Sequence, residues 1–452
     1  MSVQHFRILA RGLRRQPLLT SGVIAVIALA VGANTAIFTV FDRVLLRPLP
    51  LREPARLVTI AIAKPGNDRF PLSLPDFEDF RAQNRTFEGM TACFGWSVNL
   101  TGGDAAERLQ AMRVSPNYFQ LTGAEIELGR AIQPDDEGRS VAIVTHGLWQ
   151  RRFGGAVDVI GKTLVLNGEG FTIVGVARPG FVSLVRDAEI VAPFAAASDP
   201  RRANRAQAFL RVIGRLKPAA SPEQATDDLD GLSQRMRAAY PDAHGTDTGT
   251  RVRLLHDEIS GRVAPMLRML LAAVALVLLV ACANIANLLL VRGAGRAREL
   301  AVRSALGASR VRIMRQLVSE ALVLGTLGGG LGLLVAHAFL DALIAIGPAD
   351  LPRASEIAID TRLVLFTLVL SIGASLLFGV IPALHASRGD LQDVLKGGDR
   401  AVSGGRGRLR AALIFSEVAL STLLLITAAL LARSFQRVQE VDPGFRSAHV
   451  LS

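Results

Sequence analysis

Residues 291–325 read VRGAGRARELAVRSALGASRVRIMRQLVSEALVLG. Seven arginines and two glutamates fall between Arg292 and Glu320, yet the flanking runs 269–291 and 321–340 carry no charge over 23 and 20 residues. A bilayer crossing needs about 20 predominantly apolar residues. Both flanks are long enough, and the charged piece becomes a connector between two membrane spans. The same test finds a first span at 16–41, a fourth at 363–387 and a fifth at 411–432, the last interrupted by Glu417. A buried soluble helix is the competing reading of the fifth. The first span is too long an apolar run for the 7–15-residue core of a cleaved signal peptide, and it reads as a retained anchor.

The net charge of +12 raises nucleic acid as a partner, but its distribution excludes it. Residues 42–262 hold 28 basic and 27 acidic side chains. The excess sits in 1–15, 292–320 and 388–410, which carry +4, +5 and +3. Basic residues beside membrane spans mark cytoplasmic connectors. The connector 341–362 has two basic and four acidic residues and belongs outside. The order that follows is a cytoplasmic N-terminus, a large extracytoplasmic domain at 42–262, an inner loop at 292–320, an outer loop at 341–362, an inner linker at 388–410 and an outer tail at 433–452. The expected fold class is a multi-pass α-helical membrane protein of about five spans, with an α+β domain between the first and second.

Within 42–262, RLVTIAIA (56–63) and SVAIVTH (140–146) read as strands, and WSVNLTGG (96–103) as strand and turn. LPDFEDFRAQNRTFEGM (74–90) reads as a short helix with Pro75 near its start. TLVLNGEGFTIVGV (163–176) reads as a hairpin turning at Asn167-Gly168. SPEQATDDLDGLSQRMRAAYP (221–241) reads as an amphipathic helix opened by Ser221, with Glu223 and Gln224 in its first turn.

Several chemistries are excluded. GAVDVIGKT (155–163) resembles a phosphate-binding loop, but the G-x-x-x-x-G-K-[ST] pattern requires glycine where Ala156 stands. A strand-like run follows, where a phosphate cradle opens a helix. The chain has no GxSxG or HExxH motif, and His146 and His256 stand alone. Cys93 falls in the domain and Cys282 inside the second span, so neither a disulfide nor a Cys/His metal site is indicated. No catalytic, cofactor or metal residue is assigned.

Polar residues inside spans are costly, and they mark either helix contacts or pathways. Asn34 lies in the first span, Asn284 and Asn287 in the second, His337 in the third and His385 in the fourth. No paired acids or bases lie at mid-depth, so interhelical hydrogen bonding is favoured over a transport pathway. LGTLGGGLGLL (324–334) contains two overlapping small-xxx-small spacings, Gly325/Gly329 and Gly328/Gly332, which permit close helix approach. Pro382 is placed to kink the fourth span.

In the opening stretch, Gly293 and Gly295 are expected to interrupt the helix leaving the second span. From Arg296 a helical period resumes, with Arg296, Arg303 and Arg310 seven residues apart and Leu300, Ala301 and Leu306 on another face. LGAS, Leu306 to Ser309, then supplies a corner: Gly307 ends one helix and Ser309 caps the next. An ordinary loop on lipid headgroups would satisfy the charge rule without this grammar.

These residues resemble a known family. RARELAVRSALGASRVRIMRQLVSEALVLGTLGGGLG (296–332) is similar to the cytoplasmic segment of ABC-transporter permeases of the MacB/FtsX type. So are GANTAIFTVFDRVLLRPLP (32–50), LPDFEDFRAQNRTFEGM, VSPNYFQLTGAEIELGR (114–130), GLWQRRFGG (147–155), VIGKTLVLNG (159–168), FTIVGVARPGF (171–181) and ACANIANLLLVRG (281–293), which look like the duplicated orphan branch. The resemblance implies a permease subunit without catalytic chemistry in the inner membrane, paired as a homodimer or with a second permease half. It implies a cytoplasmic ABC ATPase on a separate chain, which drives export or transmits motion to the extracytoplasmic domain. By position, Arg296, Arg298, Glu299, Arg303, Leu306, Gly307, Ala308 and Ser309 would meet that ATPase. GRLRAALIFSEVALSTLLLITAALLARSFQRVQEVDPGF (407–445) looks like the start of a second copy, so the chain is expected to be a truncated duplicate. The alternative role is a signalling or scaffold module of the same fold, acting on an envelope protein such as a wall hydrolase.

Overall fold

The computed structural model describes residues 17–102, 106–241, 243, 249–261, 263–295, 310–346, 360–387 and 403–439. It divides into two units, a set of long apolar helices and an α+β domain spanning Asp42–Pro265.

The helical unit contains α1 (Pro17–Phe41) and, after the domain, α7 (Ala264–Gly295), α8 (Arg310–Ile346), α9 (Thr361–Ser387) and α10 (Ser403–Gln439). All five are long and apolar enough to cross a membrane. A core of Val23, Ile27 and Val31 from α1, Cys282, Ile285 and Ala286 from α7, Ala321 and Leu324 from α8, and Ala374 and Phe378 from α9 holds the helices together. Of α10, only Leu413 joins it among the described residues. The helix therefore leaves Phe415, Leu425 and Leu430 exposed. The interruption expected at Gly293 and Gly295 does not occur, for α7 runs through both. A helical glycine costs only about 1 kcal/mol relative to alanine, too little to end a long apolar helix by itself.

The domain is built on a mixed twelve-stranded sheet. Its strands are β1 (Leu57–Lys64), β2 (Asn67–Phe70), β3 (Leu72–Ser73), β4 (Phe87–Thr101), β5 (Glu107–Val114), β6 (Ile126–Gly129), β7 (Val141–Val144), β8 (Thr163–Leu166), β9 (Glu169–Ala177), β10 (Ala188–Pro193), β11 (Ala208–Leu216) and β12 (Gly249–Leu254). The main path runs β12-β1-β11-β4-β5-β10-β7-β9-β6, with β2 on β1, β3 on β11 and β8 bridging β4 and β9. The β5/β10 and β7/β9 pairs are parallel.

Strand β4 explains why one sheet carries three cores. Alternate residues of a strand face opposite sides. Met90 and Ala92 enter a first core with Phe77 and Phe80 of α2 (Leu74–Gln83) and Leu229 and Leu232 of α5 (Pro222–Ala239). Further along the same face, Val98 and Leu100 enter a second core with Leu148 and Trp149 of α4 (His146–Phe153). On the other face, Cys93 joins a third core with Tyr118 and Phe119 of α3 (Tyr118–Thr122) and Leu255 of α6 (Leu255–Ser260). Burial pushes the Cys93 thiol up to about 12.

Local signals set the helix ends. The Ser73 hydroxyl accepts from Asp76 N at 3.2 Å and starts α2. That helix stops at Gln83, because the segment read as helix to Met90 turns into β4 from Phe87. Ser221 and Gln224 form a reciprocal capping box on α5. The hairpin forms at Asn167-Gly168, with φ of 51° and 87°, the left-handed pair that suits a two-residue turn. Lys162-Thr163 leads into β8, so no helix follows the phosphate-loop-like stretch.

Candidate functional site: the glycine seams of α8

Helix α8 carries the two small-residue spacings, and each faces a different neighbour. A Cβ on Gly325 would strike the Ser375 hydroxyl of α9, and one on Gly329 the Ser371 hydroxyl. A Cβ on Gly328 would lie 2.5 Å from Ile27 Cγ2 of α1. Gly332 sits 3.3 Å from the Ala28 carbonyl and from Gly32 N by the same construction. Gly32 answers from α1, where a Cβ would lie 2.7 Å from Val335 Cγ1. Helix α8 is thus held at near-backbone distance on two sides at once, by α1 and by α9. Such packing forfeits contact energy on any separation, since dispersion falls steeply with distance.

The α9 face opposite Gly325 and Gly329 is a hydroxyl row that the sequence reading missed. Thr367, Ser371 and Ser375 recur every four residues and are buried. Each donates to the carbonyl one turn back, at 2.8, 2.7 and 2.6 Å. Their polar atoms are satisfied within α9, and what remains is a row of small side chains that admits a glycine helix. The four-residue spacing was the available signal.

Polar and aromatic contacts tie α1 to the remaining helices. Asn34 Nδ2 donates to Ala30 O at 2.9 Å and to Val274 O of α7 at 2.7 Å. Thr35 and Thr367 hydroxyls meet at 3.1 Å between α1 and α9, and Phe38 stacks on Phe366 at 3.8 Å. Asn284 is half-buried, and Asn287 Oδ1 is a buried acceptor without a partner among the described residues. His337 Nε2 lies 3.8 Å from Asp341 Oδ2 on the exposed face of α8. Pro382 and His385 lie in the last turns of α9, which continues to Ser387. The eight coupling candidates from Arg296 to Ser309 fall outside the described residues, between the end of α7 at Gly295 and the start of α8 at Arg310.

In the domain, neither His146 nor His256 belongs to a catalytic cluster among the described residues. His146 Nδ1 pairs with Glu127 at 2.6 Å, and His256 Nε2 meets the Leu45 carbonyl at 3.0 Å. Among the described residues, no group of three or more His, Cys, Asp or Glu side chains could hold a metal.

Long apolar helices with a large α+β domain between the first and second define a multi-pass membrane protein with an extracellular domain. Residues 20–232 match the family model of the MacB-like periplasmic core domain, and residues 271–391 that of the FtsX-like permease C-terminal region. The chain belongs to the MacB/FtsX-like family of ABC transporter permeases. It is 27% identical over 263 residues to the pyoverdine export ATP-binding/permease protein PvdT of Pseudomonas syringae pv. tomato, covering 57% of this chain and 38% of PvdT. It is 24% identical over 289 residues to the uncharacterized ABC transporter permease YknZ of Bacillus subtilis, covering 63% of this chain and 68% of YknZ. The chain thus spans about two fifths of the length of export proteins such as PvdT. A likeness to the periplasmic region of MacB from Actinobacillus actinomycetemcomitans has 15% identity and a TM-score of 0.36, covering 46% of this chain and 93% of that one.

Proposed function

We propose that this permease subunit transmits motion from a separate cytoplasmic ABC ATPase to its extracytoplasmic domain, in an export or mechanotransmission system of the inner membrane. ATP hydrolysis belongs to the partner chain. The N-terminus and the basic connectors 292–320 and 388–410 face the cytoplasm, and the permease works as a homodimer or with a second permease half. One observation supports this reading above the others. Helix α8, which leaves the basic connector at Arg310, is locked through glycines onto α1, and α1 runs into the domain at Asp42. Force applied to the connector would move α8, and contacts this close would carry α1 with it. Packed interiors have low compressibility and transmit strain.

The contact with the ATPase is assigned to the helix expected from Arg296 to Leu306, with Gly307, Ala308 and Ser309 as its corner. The test is Arg296→Glu combined with Arg303→Glu in the full chain, reconstituted with the ATPase that co-purifies with it. Breaking desolvated interface charge pairs costs about 2–5 kcal/mol. The expected result is an ATPase rate that falls to that of the ATPase alone, with membrane insertion unchanged. Undiminished stimulation would remove the assignment.

A further inference from the structure

The extracytoplasmic domain contains a cavity of about 420 Å³ that the family role leaves without a purpose. Three chain segments wall it: 50–52, 123–125 and 178–182. Its size falls within the roughly 300–1,000 Å³ of small-molecule sites. Its back is apolar, formed by Leu51, Val182 and Phe181, the last stacked on Phe119 at 6.0 Å. Its polar rim holds Arg52, Arg178 and Glu125.

The walls are fixed before any ligand arrives. Arg215 is buried beneath them, and its Nη2 donates to Arg52 O and Leu121 O, both at 2.7 Å. Arg52 N donates to Thr122 O at 3.0 Å. Gly123 has φ of 70°, and a Cβ there would collide with the Arg52 side chain, so the first two segments meet only because this residue is glycine. The third segment turns through Gly180 at φ 82° and is held by Phe181 N to Arg178 O at 3.1 Å. A preformed cavity avoids the ordering cost that weakens mobile sites.

The two rim guanidiniums differ. Arg178 is engaged by Glu125, and both side chains are largely exposed. The exposed Arg52 side chain has no hydrogen-bond or ion-pair partner among the described residues. Between them, an anion would meet one open guanidinium and one that Glu125 now occupies.

The geometry points to this cavity as a binding site for a small organic anion, with a carboxylate held between Arg52 and Arg178 and an apolar body against Leu51, Phe181 and Val182. Glu125 competes with the ligand for Arg178. Removing a cation from the rim should therefore weaken binding, and removing the competing acid should strengthen it. A merely stabilising ion pair would not produce these opposite signs.

The test is calorimetric titration of the full chain in lipid nanodiscs with 2-naphthoate, with empty nanodiscs as the blank. Arg52→Gln and Arg178→Gln should each weaken binding about tenfold, the scale of one hydrogen bond to a charged group. Glu125→Gln should tighten binding, and the uncharged analogue 2-naphthol should bind at least tenfold more weakly than 2-naphthoate. Because Glu125→Gln is a gain, it stays informative if an arginine variant is impaired in folding. Absence of saturable binding in both the parent chain and Glu125→Gln overturns the proposal. So does equal binding of naphthoate and naphthol.

Discussion

Gly329 and Gly330 are neighbours in α8 with opposite surroundings. A Cβ on Gly329 would run into Ser371, whereas one on Gly330 would meet nothing within 4 Å. Gly329→Ala should therefore lower the thermal stability of the purified protein, by the roughly 1–3 kcal/mol of an overpacked core. Gly330→Ala should not lower it and should raise it by up to about 1 kcal/mol, the gain of alanine over glycine in a helix, and equal losses at the two positions would refute the seam. In the domain, Asp136 accepts from Arg130 Nη1 at 2.6 Å, Arg130 Nη2 at 3.0 Å and Gln133 N at 3.0 Å. The Arg130 hydrogen bonds hold its carboxyl below the usual carboxylate range. The stabilisation is then complete above the unfolded pKa, about 3.9, and is lost as pH falls through the lower folded value. Asp136→Asn should cost about 1–2 kcal/mol at pH 7, the Arg130 end being solvent-screened. The gap should close on acidification below about pH 4, as unfolding curves at several pH values would show. The glycine spacings were legible because they repeat within one segment. Their partners were not, since the residues that meet Gly329 lie some forty positions away.

At the scale of elements, what is local was readable. The capping residue Ser221 and the Asn167-Gly168 turn carry their conformational preference in their own side chains or lack of them. Ser221→Ala should remove the bond to Gln224 N and cost about 1 kcal/mol. That is about 2–4 °C in the domain's unfolding midpoint for a unit of this size. No shift would show that the capping box contributes nothing measurable. Where the reading failed, tertiary context decided. The helix read to Met90 gives way to β4 because Phe87 and Met90 fill a core shared with α5, more than 130 residues later. The helix read as broken at Gly293 continues through it. Glycine propensity is a weak prior that an otherwise apolar helix overrides.

At the scale of the molecule, the five spans could be read because a bilayer imposes a length rule that each segment obeys alone. Sheet order could not, since β11 lies beside β4 and β10 beside β5 across long stretches of chain. The proposed transmission depends most on the basic connector and the α+β domain lying on opposite sides of the membrane. The direct measurement is labelling of single engineered cysteines in spheroplasts with a membrane-impermeant maleimide. The native background is quiet, for Cys93 and Cys282 are both buried. Val157→Cys, at a position 71% exposed in the domain, should label from outside. Arg303→Cys in the connector should label only after the membrane is opened. Labelling of both positions from the same side would contradict the account.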